Sequence, residues 1–158
     1  MIFILVVILG CFLGYFIAKF TKGELKSGVI YFVLLELFIF LFLSLIFVYL
    51  SFNLFLFLSG ILLGLIFRFE YFYFGTGLAS IINKDFSFLV SSIVFVYGLP
   101  YGSLSYYNKN FKILIYSFVF FILPFIIYFL DYNFLSFASG GLLVLSIKKA
   151  IEFYKDYF

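Results

Sequence analysis

The run Val29–Leu50, VIYFVLLELFIFLFLSLIFVYL, carries a single charged residue, Glu36, in 22 positions. That length matches the ~20 apolar residues a helix needs to cross ~30 Å of hydrocarbon. Inside lipid each backbone amide must find its partner within the segment. A run this long and this uniformly apolar therefore reads as a transmembrane α-helix and not as a barrel strand. The sequence repeats the pattern on both sides. Upstream lies Met1–Phe20, separated from it by the polar turn Thr21–Gly28. Downstream, Ser51-Phe52-Asn53 turns into Leu54–Phe67, which closes at Arg68 and Glu70. A shorter apolar stretch, Tyr71–Ile82, contains Gly75-Thr76-Gly77 and ends at Asn83-Lys84-Asp85. Phe86–Tyr106, Phe111–Leu130 and Asn133–Ile147 follow, the last running into a basic tail from Lys148 and Lys149.

Composition points the same way. Of 158 residues, 67% are apolar and only 11% charged, against about 45–50% and 25% in soluble domains. So few polar groups cannot cover a water-exposed fold, and the expected partner is the lipid bilayer. The net charge of +3 gathers at helix ends, where membrane topology and anionic lipid account for it; no nucleic-acid partner is expected. The chain has no histidine, and its one cysteine, Cys11, lies inside the first apolar run, where it reads as a small packing residue. Haem, zinc and iron–sulfur chemistry therefore lack ligands, and no cofactor, metal or catalytic residue is expected. Met1–Phe20 has no basic stretch before it and no small-residue cleavage pattern, so it reads as a first mature span and not as a signal peptide.

Self-comparison adds the organisation. A shift of 80 residues lays Leu50–Leu65, LSFNLFLFLSGILLGL, on Leu130–Leu145, LDYNFLSFASGGLLVL, with eight of 16 positions identical. Matched Leu and Phe carry little weight in this composition. Asn53 over Asn133 and Ser59-Gly60 over Ser139-Gly140 carry more. Farther upstream Gly10-x-x-x-Gly14 answers Gly98-x-x-x-Gly102 at an offset of 88, which a loop-length difference of eight reconciles. The expectation is an all-α polytopic membrane protein of two three-helix repeats, 1–68 and 86–158, the second with a basic C-terminal tail, joined by a linker segment at 69–85.

Whether Tyr71–Ile82 crosses decides the symmetry. Twelve residues reach only about 18 Å at helical rise, which favours an interfacial segment with Tyr71 and Tyr73 in an aromatic belt, six spans and inverted repeats. Charge favours crossing. The first turns hold Lys19, Lys22 and Lys26 in one copy and Lys109 and Lys112 in the other; both third helices end in basic residues, Arg68 and Lys148-Lys149. Copies with the same charge pattern insert the same way round. The reading adopted is 3+1+3, seven spans in the cell membrane, amino terminus outside and carboxyl terminus cytoplasmic.

Several residues are candidates for function, each with a plainer role beside it. Gly10, Gly14, Gly98 and Gly102 sit one helical turn apart in pairs, the spacing that lets a second backbone approach; helix packing is the plain role and a groove or dimer seam the alternative. Glu36 lies seven residues into its span, where an ionised carboxylate is costly; it is a proton-carrying candidate or a structural acid bonded to a hydroxyl or carbonyl. Tyr97, Tyr101 and Ser103 give the fifth span a polar content suited to lining a cavity, or to an end among head groups. Asn53 and Asn133 suit helix capping. Arg68 and Glu70 suit interfacial anchoring, and Gly75-Thr76-Gly77 lacks the lysine of a phosphate loop. With no clustered acids or nucleophile, an enzyme, including a lipid-modifying one, is disfavoured. The first functional expectation is a small carrier or translocator of an apolar, lipid-like or small ionic cargo. The second is a non-catalytic subunit or scaffold that binds another membrane protein or a second copy of itself. In helix order alone the layout resembles that of the SWEET and PQ-loop carriers, although the sequence has no Pro-Gln pair.

Overall fold

The computed structural model describes residues 2–21, 25–81, 83–130 and 133–157. All its regular structure is helical: α1 (Ile2–Phe20), α2 (Leu25–Leu50), α3 (Leu54–Ile66), α4 (Glu70–Ser80), α5 (Lys84–Tyr107), α6 (Phe111–Ile122) and α7 (Leu135–Tyr157), with a 3₁₀ segment, Leu123–Leu130, continuing α6. Among the described residues, two stretches, Ser27–Leu50 and Lys84–Tyr107, are long and apolar enough to cross a membrane, and Val6–Phe20, Leu54–Ile66 and Phe111–Ile126 are shorter apolar helices. Lys22 and Asp131, and the side chain of Lys26, lie outside the described residues.

Local chemistry sets the helix ends. Asn53 accepts hydrogen bonds from the amides of Phe55 and Leu56, and so caps α3. Asn133 accepts one from Leu135 at the start of α7, and Asn83 one from Asp85 at the start of α5. These side chains supply acceptors to the amides that a helix start leaves unpaired. Pro100 lies inside a continuous α5, whereas Pro124 falls where α6 gives way to 3₁₀ geometry. Proline removes one ladder bond and crowds the preceding turn, and tightening to 3₁₀ is one way to accommodate it. The end of the last helix departs from the sequence reading. In place of a tail after Ile147, α7 runs on to Tyr157 and carries Lys148, Lys149 and Glu152 on its final turns.

The chain gathers into two compact units, each drawing on both halves of the sequence: Met1–Ile39 with Asn83–Phe118, and Phe40–Ile82 with Val119–Phe158. In the first unit α1 packs along α5. A Cβ added at Gly10 would strike the backbone of Phe95, one at Gly14 the backbone of Leu99, and one at Gly102 the carbonyl of Cys11, all closer than 3.0 Å. The two backbones touch, so only glycine fits. The register climbs in step, 10 with 95 and 14 with 99, so α1 and α5 run parallel. Ser103 fastens the seam by donating to the carbonyl of Gly14 at 3.1 Å. Tyr15 packs edge-on against Tyr106 and Phe111 at 5.1 and 5.4 Å.

The second unit repeats this construction. Here α3 packs along α7, and α4 lies against α7 and the 3₁₀ segment. A Cβ at Gly60 would strike the carbonyl of Phe137, and one at Gly140 the carbonyl of Phe57. Gly64 faces Gly141, so this register also climbs in step and α3 and α7 run parallel. Both seams follow one rule: Gly14 and Gly102, like Gly60 and Gly140, each meet the carbonyl three residues before the other glycine.

The position of α4 does not fit the aromatic belt of the alternative, six-span reading. Tyr71, Tyr73, Phe74 and the run Gly75–Leu78 are all buried. Gly75 abuts the backbone of Phe121, Gly77 the ring of Phe47, and the ring of Tyr73 fills the space above Gly141. The glycines of Gly75-Thr76-Gly77 thus make room for neighbours on both sides of a short helix wrapped by protein.

Candidate functional site

The four candidate binding residues all belong to the first unit. Glu36 is wholly buried on α2, and Tyr97 is wholly buried on α5. Tyr101, one turn beyond Tyr97 with their rings 5.6 Å apart, shares a hydrogen bond with Ser117 of α6 at 2.9 Å. Ser103 bridges α5 to α1, as described above, and also bonds the carbonyl of Leu99 in its own helix. Tyr101 and Ser103 therefore hold helices together, and Glu36 is the one acid of the set.

The polar content of the fifth span has a physical explanation. Ser91, Ser92 and Ser105 each donate to the carbonyl four residues earlier, in Ser87, Phe88 and Tyr101. A hydroxyl that bonds back onto the preceding turn needs no outside partner, so it can sit in an apolar medium at little cost. Thr76 and Ser80 in α4 and Ser117 in α6 do the same.

Sequence reasoning missed the hydroxyls of the second unit. Ser44 and Ser139 face each other, each hydroxyl within hydrogen-bond distance of the other's carbonyl, at 3.1 and 2.9 Å, and of the other hydroxyl, at 2.9 Å, so that two hydrogens serve three contacts. One turn away Ser136 donates to the carbonyl of Ser51 and accepts from the amide of Asn53, both at 2.8 Å. Ser80 accepts from the amide of Phe134 at 3.1 Å. These bonds satisfy backbone groups where α2 ends and α3 and α7 begin. The spacing of Ser136, Ser139 and Gly140 on one helix face was the available signal, obscured by the greater number of serines on α5. Among the described residues, the Tyr73 hydroxyl is buried with no hydrogen-bond partner.

A second polar constellation lies where α3 ends and α4 begins, beside the last turns of α7. Arg68 pairs with Glu152 at 3.2 Å and does not pair with Glu70, two residues away. The Lys148 ammonium donates to the carbonyls of Gly64 and Leu65, at 2.9 and 2.6 Å. A cation there meets the negative end of the α3 dipole and its unpaired carbonyls. Lys149 sits 5.5 Å from the centre of the Phe40 ring. Among the described residues no group of histidine, cysteine and carboxylate side chains is arranged to hold a metal.

Compared with known proteins, the chain matches no family model, no curated protein and no solved structure. The functional reading therefore rests on the geometry alone.

Proposed function

We propose that this chain is a seven-span membrane protein, two three-helix copies facing the same way and joined by α4, that carries a small cargo across the membrane with Glu36 as its proton-bearing group. The topology draws its support from the two parallel seams. Inverted repeats with a non-crossing α4 would set α1 against the run of α5, and α3 against α7. Same-facing copies require α4 to cross. The short reach of α4 is no objection, because hydrophobic length must match the bilayer only where a helix meets lipid, and α4 is wrapped by protein. On this reading Lys19, Arg68, Lys109, Lys112, Lys148 and Lys149 share the cytoplasmic side, as the positive-inside rule asks.

The observation that carries the functional reading is Glu36, wholly buried within a 26-residue apolar helix. A carboxyl in such a place exchanges its proton only when the site opens to water, and that coupling is what a proton-linked carrier needs. Hydroxyls turned back on their own helices leave little to grip a sugar or an amino acid. The cargo class is therefore apolar, lipid-like or a small ion. The same scarcity favours a second reading, a non-catalytic subunit that binds another membrane protein or a second copy of this chain.

In liposomes carrying a pH gradient, wild-type protein is expected to drive proton-dependent flux. Glu36→Gln is expected to keep its folded yield and lose at least about 100-fold of that flux, the low end of what one proton-transfer group contributes. Wild-type protein without proton flux, recovered with a stoichiometric partner, would establish the subunit reading instead.

A further inference from the structure

A cleft of about 120 Å³ opens among Arg68, Glu70, Leu145, Lys148, Lys149 and Glu152. Its basic residues are held in different ways. Lys148 is committed to the end of α3. Arg68 is 70% exposed and spends one nitrogen on Glu152, so most of its five N–H donors face outward. Lys149 lines the same cleft from α7. Three cations stand against two carboxylates, leaving a surplus of one positive charge. A planar guanidinium beside an ammonium suits the tetrahedral, doubly accepting oxygens of a phosphate.

We propose that this cleft binds the phosphate group of an anionic lipid, with Arg68 and Lys149 as the contacts and Glu152 as the internal competitor that the phosphate displaces from Arg68. The inference rests on the membrane reading above, which puts the cleft on the cytoplasmic side at the level of head groups, where basic pockets between helices take up anionic lipid. A diffuse basic surface would respond to any loss of charge in one direction. This site is expected to respond in two. Neutralising Arg68 or Lys149 removes a contact, whereas neutralising Glu152 removes the competitor and frees the guanidinium.

The test is native mass spectrometry of the full chain in neutral detergent, titrated separately with phosphatidylglycerol, phosphatidylcholine and inorganic phosphate. Phosphatidylglycerol is expected to bind in preference to phosphatidylcholine. Arg68→Gln and Lys149→Gln are each expected to weaken it about tenfold, the usual weight of a charge-assisted contact, and Glu152→Gln is expected to tighten it several-fold. Failure of inorganic phosphate to compete identifies the lipid as the source; competition at equal concentration identifies a soluble phosphate and overturns the lipid assignment. Equal binding by wild type and both basic variants, or weaker binding by Glu152→Gln, overturns the site. Membrane partition of the same variants is read alongside. Loss of partition by wild type defeats the membrane reading itself, and normal partition with charge-independent binding defeats only this site.

Discussion

Gly102→Leu, or Gly14→Leu, is expected to leave almost no folded protein in detergent, and alanine at either position to lower stability by about 2 kcal/mol, within the usual range for overpacking. The obstacle in each case is a main-chain carbonyl: Leu99 for Gly14 and Cys11 for Gly102. A carbonyl in a helix cannot turn aside, so relief comes only by parting α1 from α5, which also breaks the Ser103 bond to Gly14. On the membrane reading proposed above, lipid offers these helices no hydrophobic reward for associating, and close packing and such bonds hold them. The control is Gly28→Ala, whose added Cβ would have the ring of Phe32 as its nearest described neighbour, at 3.4 Å. That change is expected to be neutral or to stabilise by up to about 1 kcal/mol, since alanine is the better helix former. Thermal unfolding of purified variants measures all of these; an unaffected Gly14→Ala, Gly102→Ala double variant would remove the parallel seam.

Gly77→Ala is expected to destabilise by about 1–3 kcal/mol for the same overpacking reason, but here a second substitution should rescue it. The added methyl meets the ring of Phe47, a side chain buried on α2. Phe47→Ala alone is expected to cost about 3–5 kcal/mol through the cavity it opens. In the double variant the methyl enters the vacated space, so the combined loss is expected to fall short of the sum by at least about 1 kcal/mol, the coupling typical of touching residues. Strict additivity would mean that α4 does not lie where the ring and the glycine meet. The contrast with Gly14 is informative: side-chain obstacles can be traded away, whereas backbone obstacles cannot.

The elements themselves were open to sequence reading. Long apolar runs have one solution in lipid, and Asn53 and Asn133 announced helix starts by residue type. The G-x-x-x-G pairs announced close approach as well, although spacing alone cannot name the partner, and the pairing of Gly14 with Leu99 and of Gly102 with Cys11 is a tertiary fact. The place of α4 was hidden for a related reason. Tyr71 and Tyr73 are as suitable for a water–lipid interface as for a protein interior, and their neighbours decide between the two. Arg68 and Glu70, two residues apart, read as interfacial anchors that do not face each other, and nothing in the sequence named the partner of Arg68, which is Glu152, 84 residues away. Among the site residues, Glu36 stood out because one acid in an apolar helix is conspicuous. The Ser44–Ser139 pair did not stand out, since a serine in such a helix more often bonds its own preceding turn.

The central claim is that α4 carries the chain from one side of the membrane to the other, and cysteine accessibility on its two flanks tests it most directly. Arg68→Cys and Lys84→Cys, each in a Cys11→Ala background, are to be labelled with an impermeant thiol reagent in intact cells and again after lysis. Label at 84 in intact cells, with label at 68 only after lysis, is the expected result. Both positions reacting from the same side would contradict it, leaving α4 a non-crossing segment and the two copies inverted.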